Sequence, residues 1–191
     1  MVKSAVRREY LQKRLDLEPG QIETFTNQIK SRFEVFNLSN VSFFLSYYPL
    51  INRKEYNVAV CEKVVLKKYP LAKIAWPKAD TDSDTIRMEA HLLEEQGLFA
   101  KNKYDILEPI GNNIVAPQSL DLVFVPLLAF DLKGFRVGYG KGYYDRYLIR
   151  CRKDIIRIGF SFFEAIGSIK DINEFDVPLD YCITPSRLYE F

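Results

Sequence analysis

The sequence predicts an α/β fold: an open, largely parallel sheet with helices on both faces, the three-layer arrangement of Rossmann-like domains. Three observations carry that expectation. Strand-like apolar runs alternate with helical patterns along the chain. The runs VSFFLSYY (41–48) and DLVFVP (121–126) are continuously apolar rather than alternating, as strands buried on both faces are. At 191 residues, with 48% hydrophobic and 27% charged side chains, the chain suits one domain (1–191) with a substantial core.

The elements follow in order. Residues 3–17 read as a helix broken at Pro19-Gly20. At about 100° per residue, Lys3, Arg7, Tyr10 and Arg14 share one narrow face. Residues 20–36 form a second helix, with Ile22, Phe25, Ile29 and Phe33 at helical spacing. The strand at 41–48 comes next, then a helix over 55–69 and a strand over 71–77 that Pro77 ends. Residues 78–120 are the least regular stretch, polar apart from a short apolar run near Ile86 to Leu93. DLVFVP supplies the next strand, and a glycine-rich segment leads into a helix over roughly 142–151. Strands at 155–162 and 180–185 complete the series. There is no internal repeat, low-complexity segment or linker to divide the chain.

Composition narrows the function classes. A net charge of +2 is too small for a nucleic-acid coat or a membrane-surface protein. Cys61, Cys151 and Cys182 lie far apart without CxxC spacing. They give no zinc site or disulfide framework and suit a reducing, cytoplasmic location. No apolar run reaches membrane-spanning length, and the basic start lacks the apolar core of a signal peptide. The one histidine, His91, sits in no motif, and no serine has a nucleophile-elbow context. Those features speak against a Ser-His-Asp or Cys-His enzyme.

The segment GFRVGYGKGYYDR (134–146) carries the chemistry. Gly138, Gly140 and Gly142 alternate with Tyr139 and Lys141 between a strand region and a helix start, where open α/β sheets place ligands. Such glycines let the backbone approach a bound group and aim N–H donors at it. Arg136 and Lys141 add whole charges, so the segment suits a phosphate. It is neither a P-loop, since Gly140-Lys141 is followed by Gly142, nor GxGxxG, since position 143 is Tyr. A glycine-rich turn feeding a helix, with Tyr143 and Tyr144 in the core, accounts for the composition equally well.

The longer string VPLLAFDLKGFRVGYGKGYYDRYL (125–148) resembles the signature of the 5-formyltetrahydrofolate cyclo-ligase (5,10-methenyltetrahydrofolate synthetase) family. That signature is an apolar strand with Pro, then FD, G-x-R-hydrophobic-G, a variable residue and G-(Lys or Gly)-G-Tyr-Tyr-Asp, and each position is met. Lys3 and Arg7 resemble the family's Lys-x-x-x-Arg, and Glu55-Tyr56-Asn57 its substrate-contacting element, with Val58 in place of Thr. Trp76-Pro77-Lys78, Tyr104 to Pro109 and Asp176 to Asp180 extend the likeness over most of the chain; Phe175 stands where many members have His.

The resemblance implies an ATP- and Mg²⁺-dependent closure of 5-formyltetrahydrofolate to 5,10-methenyltetrahydrofolate, releasing ADP and phosphate through a phosphorylated N5-formyl group. It implies an ATP site of Lys3, Arg7, Arg136, Val137, Gly138, Tyr139, Gly140, Lys141, Gly142, Tyr143 and Tyr144. Folate would meet Glu55, Tyr139, Gly140, Lys141, Gly142 and Tyr143; Arg136, Lys141 and Tyr143 would act on the reacting atoms; Asp145 and Asp180 would hold the metal. Tyr104 and Met88 would pack on the folate rings or simply in the core. The likeness assigns Arg14 no role. The expected partners are the two small substrates, with no nucleic acid or membrane, on a monomer or alternatively a homodimer. Another ATP-dependent formyl- or acyl-activating enzyme, or an RNA-binding module, are the competing readings.

Overall fold

Two helices open the chain, α1 (Lys3–Leu15) and α2 (Pro19–Glu34). Pro19 begins α2, where its missing N–H breaks no helical bond. The computed structural model describes residues 1–80, 87–93, 99–102 and 107–191; Tyr104 and the flanking Asp105 and Ile106 lie outside them. The remaining elements are β1 (Phe43–Leu45), α3 (Ala59–Lys68), β2 (Lys73–Asp80), β3 (Arg87–Leu92), β4 (Phe99–Lys101), β5 (Leu107–Pro109) and β6 (Ile114–Val115). After them come β7 (Leu122–Val125), β8 (Ala129–Phe130), β9 (Arg136–Val137), α4 (Tyr143–Leu148), β10 (Ile156–Phe160), β11 (Tyr181–Ile183) and β12 (Leu188–Glu190).

Among the described residues, eight strands form one mixed sheet in the order β12-β11-β10-β7-β1-β2-β3-β6. The central five, β11 to β2, run parallel. At the flanks β12 pairs antiparallel with β11, β3 with β2, and β6 with β3. The expected α/β class with a mostly parallel sheet is therefore the observed one.

The period of two along each strand divides the core between the sheet faces. Phe44, Leu122, Phe124, Ile158 and Phe160 face α2 and α3, joining Ile29, Phe33, Cys61 and Val65. Phe33 meets Phe124 and Phe160 edge-on, at centroid distances of 5.7 and 5.4 Å. Leu45, Val123 and Val125 point the other way, onto Tyr147 and Leu148 of α4. Burying each such large side chain is worth about 1.5–3 kcal/mol over leaving it exposed. α1 instead packs Val6 against Ala129 and Val137 of the β8–β9 hairpin, which ties the N-terminal helix to the glycine segment.

Three expectations need correction. β2 does not stop at Pro77 but continues to Asp80, with Pro77 opposite Ala90 of β3. β1 ends opposite Ala75, and Ala79 N–H donates to the Glu108 carboxylate rather than into the sheet. Pro77 shares the side of Ala75 and Ala79, so its missing N–H falls beyond the end of β1 and breaks no ladder bond. The stretch 78–120, read as irregular, contributes β3 and β6 to the main sheet and a separate β4–β5 pair. The helix expected over 142–151 is shorter, Tyr143–Leu148. Among the described residues no helix is long and apolar enough to cross a membrane.

Candidate functional site

The parallel strands β1, β2 and β7 deliver their carboxyl ends to one side of the sheet. From β1 the chain leaves through α3 to β2 on one flank, and from β7 through α4 to β10 on the other. The crevice at that reversal is where an open α/β sheet leaves room for a ligand. A cleft of about 790 Å³ occupies it, reached by Tyr47 and Tyr48 after β1, Pro77 and Ala79 of β2, Pro126 after β7 and the whole segment 136–146.

Gly140 and Gly142 adopt positive φ, +98° and +69°, which a residue with a Cβ takes up only with strain. A Cβ at Gly140 would stand 3.1 Å from the Arg7 guanidinium, which explains why the turn is glycine there. Arg7 Nε donates to the Gly138 carbonyl at 2.9 Å, so α1 clamps the loop from outside. Beyond the loop α4 has only six residues, too short for a large dipole, so whole charges dominate this end of the cleft.

Those charges are already matched. Lys3 Nζ donates to both oxygens of Asp176, to Oδ1 at 2.6 Å. Arg136 is buried; its Nη1 donates to the Val177 carbonyl and its Nη2 to Asp145 Oδ1 at 3.0 Å. Asp145 Oδ1 also accepts the Val177 N–H at 3.1 Å. Burial pulls the Arg136 pKa down, opposed by Asp145 and, further off, Asp176. A guanidinium stays charged under such a pull. Lys141 is exposed at the cleft wall.

The other end holds one buried carboxylate. Glu55 Oε2 accepts the Leu50 N–H at 2.9 Å and Oε1 the Tyr139 hydroxyl at 2.8 Å. Burial raises the Glu55 pKa, countered first by the Leu50 N–H and then by the nearby Arg14 charge. The Arg53 guanidinium lies 4.9 Å over the Tyr139 ring. Tyr48, stacked on Trp76 at 4.4 Å, gives this end a flat aromatic wall.

The cleft brings together Lys3, Arg7, Glu55, every residue from Arg136 to Asp145, and Met88. It does not bring in Asp180. That carboxylate is held by Arg157, whose Nε donates to Oδ2 at 2.8 Å and whose Nη2 donates to Oδ1, and Oδ2 also accepts the Arg157 N–H at 2.7 Å. With both oxygens taken and no place in the cleft wall, Asp180 is not where the expected metal pair with Asp145 puts it. Asp176, four residues earlier, stands at the cleft instead, and Phe175 beside it is 64% exposed at the cleft wall. His91 is buried outside the cleft lining.

Residues 1–185 match the family-wide sequence model described as the 5-formyltetrahydrofolate cyclo-ligase family. The chain belongs to that family. A 5-formyltetrahydrofolate cyclo-ligase of Mycoplasma genitalium is 39% identical over 73 residues, 38% of this chain and 44% of that protein. One from Mycoplasma pneumoniae is 24% identical over 185 residues, 96% of this chain and 98% of that protein. Among solved structures, the Aquifex aeolicus 5,10-methenyltetrahydrofolate synthetase superposes with a TM-score of 0.78 over 100% of this chain and 93% of that one. Its sequence identity of 24% makes this a likeness of fold. These cyclo-ligase relatives carry the names of ligases, so the family is one of enzymes.

Proposed function

We propose that this chain closes 5-formyltetrahydrofolate to 5,10-methenyltetrahydrofolate at the expense of ATP, in the cleft lined by 136–146. One observation supports this above the rest. A single cavity joins a cationic, glycine-walled end (Lys3, Arg7, Arg136, Lys141) to an end with a buried carboxylate and an aromatic wall (Glu55, Tyr48). A triphosphate and a pterin ask for those two environments side by side.

The reaction sets the demand. The formyl oxygen on N5 attacks the γ-phosphorus and ADP leaves, giving an N5-iminium carrying a phosphoryl ester. N10 then adds to the formyl carbon and loses its proton, and phosphate departs with both C–O electrons. No protein nucleophile is needed; positioning and charge compensation are. Arg7 fixes the loop through Gly138, and the loop N–H groups together with Lys141 meet the equatorial phosphoryl oxygens. Lys3 exchanges part of its contact with Asp176 for phosphate. Glu55 accepts from the pterin N–H edge, and Tyr143 and Tyr139 close over the reacting end.

The buried Tyr144 hydroxyl supports a ligand here. It has no hydrogen-bond partner among the described residues although Tyr144 lines the cleft. An unmade buried hydrogen bond costs about 1–3 kcal/mol, which a bound phosphate or formyl oxygen would recover.

The donor set fits a magnesium ion carried mainly by phosphate and water. Among the described residues Asp145 meets Arg136 and Val177 through Oδ1, which leaves Oδ2 for a cation. No group of three or more metal-ligating side chains stands together among the described residues, so phosphate and water would supply most of the ligands of such an ion. Held by Asp145 and phosphate oxygens, such an ion would supply charge neutralisation to the transferring phosphoryl group.

The test is direct: purified protein with 5-formyltetrahydrofolate, ATP and Mg²⁺, followed by the absorbance of the methenyl product. We expect product only when all three are present. Turnover without ATP, or none with it, overturns the reading.

A further inference from the structure

Arg14 makes three side-chain hydrogen bonds beside the cleft, and the proposed reaction gives it nothing to do. It sits in the last turn of α1, 4% exposed. Its Nε donates to the Arg53 carbonyl at 2.8 Å, its Nη1 to the Leu127 carbonyl at 3.2 Å, and its Nη2 to the Tyr139 hydroxyl. Nη1 also stands 4.0 Å from Glu55 Oε1. One buried guanidinium thus ties together α1, the turn carrying Arg53 and Glu55, the chain after β7, and the glycine loop. The planar fork of Arg serves these diverging acceptors, and a lysine ammonium cannot.

The hydrogen-bond direction matters as much as the contacts. Tyr139 Oη accepts from Arg14, so its single proton is committed to Glu55 Oε1, which it reaches at 2.8 Å. The Leu50 N–H occupies the other Glu55 oxygen. The carboxylate is therefore oriented from both sides before any substrate arrives. Take away Arg14, and the Tyr139 hydroxyl is released to rotate while Glu55 loses a neighbouring positive charge.

We propose that Arg14 is a positioning residue for the reaction: through Tyr139 and Glu55 it fixes the folate-recognising carboxylate relative to the glycine loop. The inference rests on the proposed cyclo-ligase reading. The charged and titratable groups facing Glu55 are Arg14 from α1, Arg53 from its own turn, Tyr139 from the loop, Tyr47 from the segment after β1 and Tyr144 from α4. The tyrosines are pushed up by burial and stay neutral, so the positive charges that offset the buried carboxylate are the two arginines, beside the hydrogen bonds from the Leu50 N–H and the Tyr139 hydroxyl.

The experiment compares wild type, Arg14→Met, Arg14→Lys and Glu55→Gln by kcat and by KM for folate and for ATP across pH 5 to 9. Thermal melts of each variant run alongside. In Arg14→Met we expect kcat/KM for folate to fall on the order of 10²-fold, the effect of a small misplacement, with KM for ATP little changed. We also expect the acid limb of the kcat/KM profile to move to higher pH, because Glu55 then ionises with less help. Arg14→Lys should keep the limb near its wild-type position while leaving most of the rate lost. Glu55→Gln should abolish the limb.

A drop in rate equal at every pH, with the limb unmoved in Arg14→Met, would mean a merely structural arginine and overturn the proposal. So would equal losses toward ATP and folate. If Arg14→Met does not fold, the rate of Arg14→Lys decides instead: a wild-type rate there sinks the idea. Absence of turnover in wild type would count against the cyclo-ligase reading itself, which separates the two failures.

Discussion

The two ends of the cleft treat charge in opposite ways. At the glycine end two cations, Lys3 and Arg136, wait on internal carboxylates, Asp176 and Asp145. At the aromatic end a buried carboxylate, Glu55, is gripped by the Leu50 N–H and the Tyr139 hydroxyl. The first arrangement is exchangeable: under the proposed function an entering phosphate would compete with Asp176 for a lysine that is partly exposed. The second is fixed, because freeing Glu55 would strand buried donors. The proposed substrates, a highly charged nucleotide and a rigid ring system, would call for that division.

The comparison breaks most decisively at Lys141. If the glycine end supplies the charge that the transferring phosphoryl group needs, Lys141→Ala should cut kcat by about 10²–10³-fold, as removing one transition-state donor does elsewhere. Its melting temperature should stay put, since the side chain is exposed. A kcat within threefold of wild type would move the chemistry away from this loop. Asp145→Asn tests the adjacent carboxylate. It should also lose most activity and need far more Mg²⁺ to recover any, and an unchanged Mg²⁺ titration would take the ion elsewhere.

Exchangeability is sharpened by Lys3→Met. Losing one partly exposed, pre-paired cation should raise KM for ATP about tenfold, equivalent to ~1.4 kcal/mol, with KM for folate unaltered. Equal rises in both constants would mean that Lys3 merely holds α1 against the segment 171–176.

Sequence reasoning reached some of this and missed the rest for identifiable reasons. The parallel core was legible because strands buried on both faces, such as Leu122–Val125, have nowhere to put a polar residue. The glycine loop was legible because positive φ at 140 and 142 forces the residue type. The short strands of 87–115 were not, since two- to six-residue segments are too brief to show a period, and β3 pairs on one flank with a two-residue strand. Arg14 was visible as a face-mate of Lys3 and Arg7, but its burial depends on Leu127 and Tyr139, over a hundred residues away. Asp176 and Asp180 could not be told apart by spacing: only the fold shows that Arg157 on β10 pairs with one and Lys3 with the other.

That last distinction yields a smaller effect. Asp180→Asn removes a bidentate partner of Arg157, side chains 21% and 29% exposed, at a cost of about 1 kcal/mol in stability. The Mg²⁺ dependence should not change. Denaturant melts and a Mg²⁺ titration on the same preparation read both, and a loss of Mg²⁺ affinity would return Asp180 to the metal site.

Tyr144 gives the subtlest test of whether the cleft is prepared for a ligand. Its hydroxyl is buried without a partner among the described residues, and burial raises its pKa, so it is a neutral donor at any pH the protein meets. In the free protein such a group is a liability, and Tyr144→Phe should leave stability unchanged or raise it by up to about 1 kcal/mol. If the hydroxyl is kept for a bound oxygen, the same change should weaken substrate binding by about 5–10-fold, the worth of one recovered hydrogen bond. Stability and affinity then move in opposite directions, which a packing role for the tyrosine would not produce. A variant that gains stability and binds both substrates as wild type does would show that the orphan hydroxyl serves no ligand.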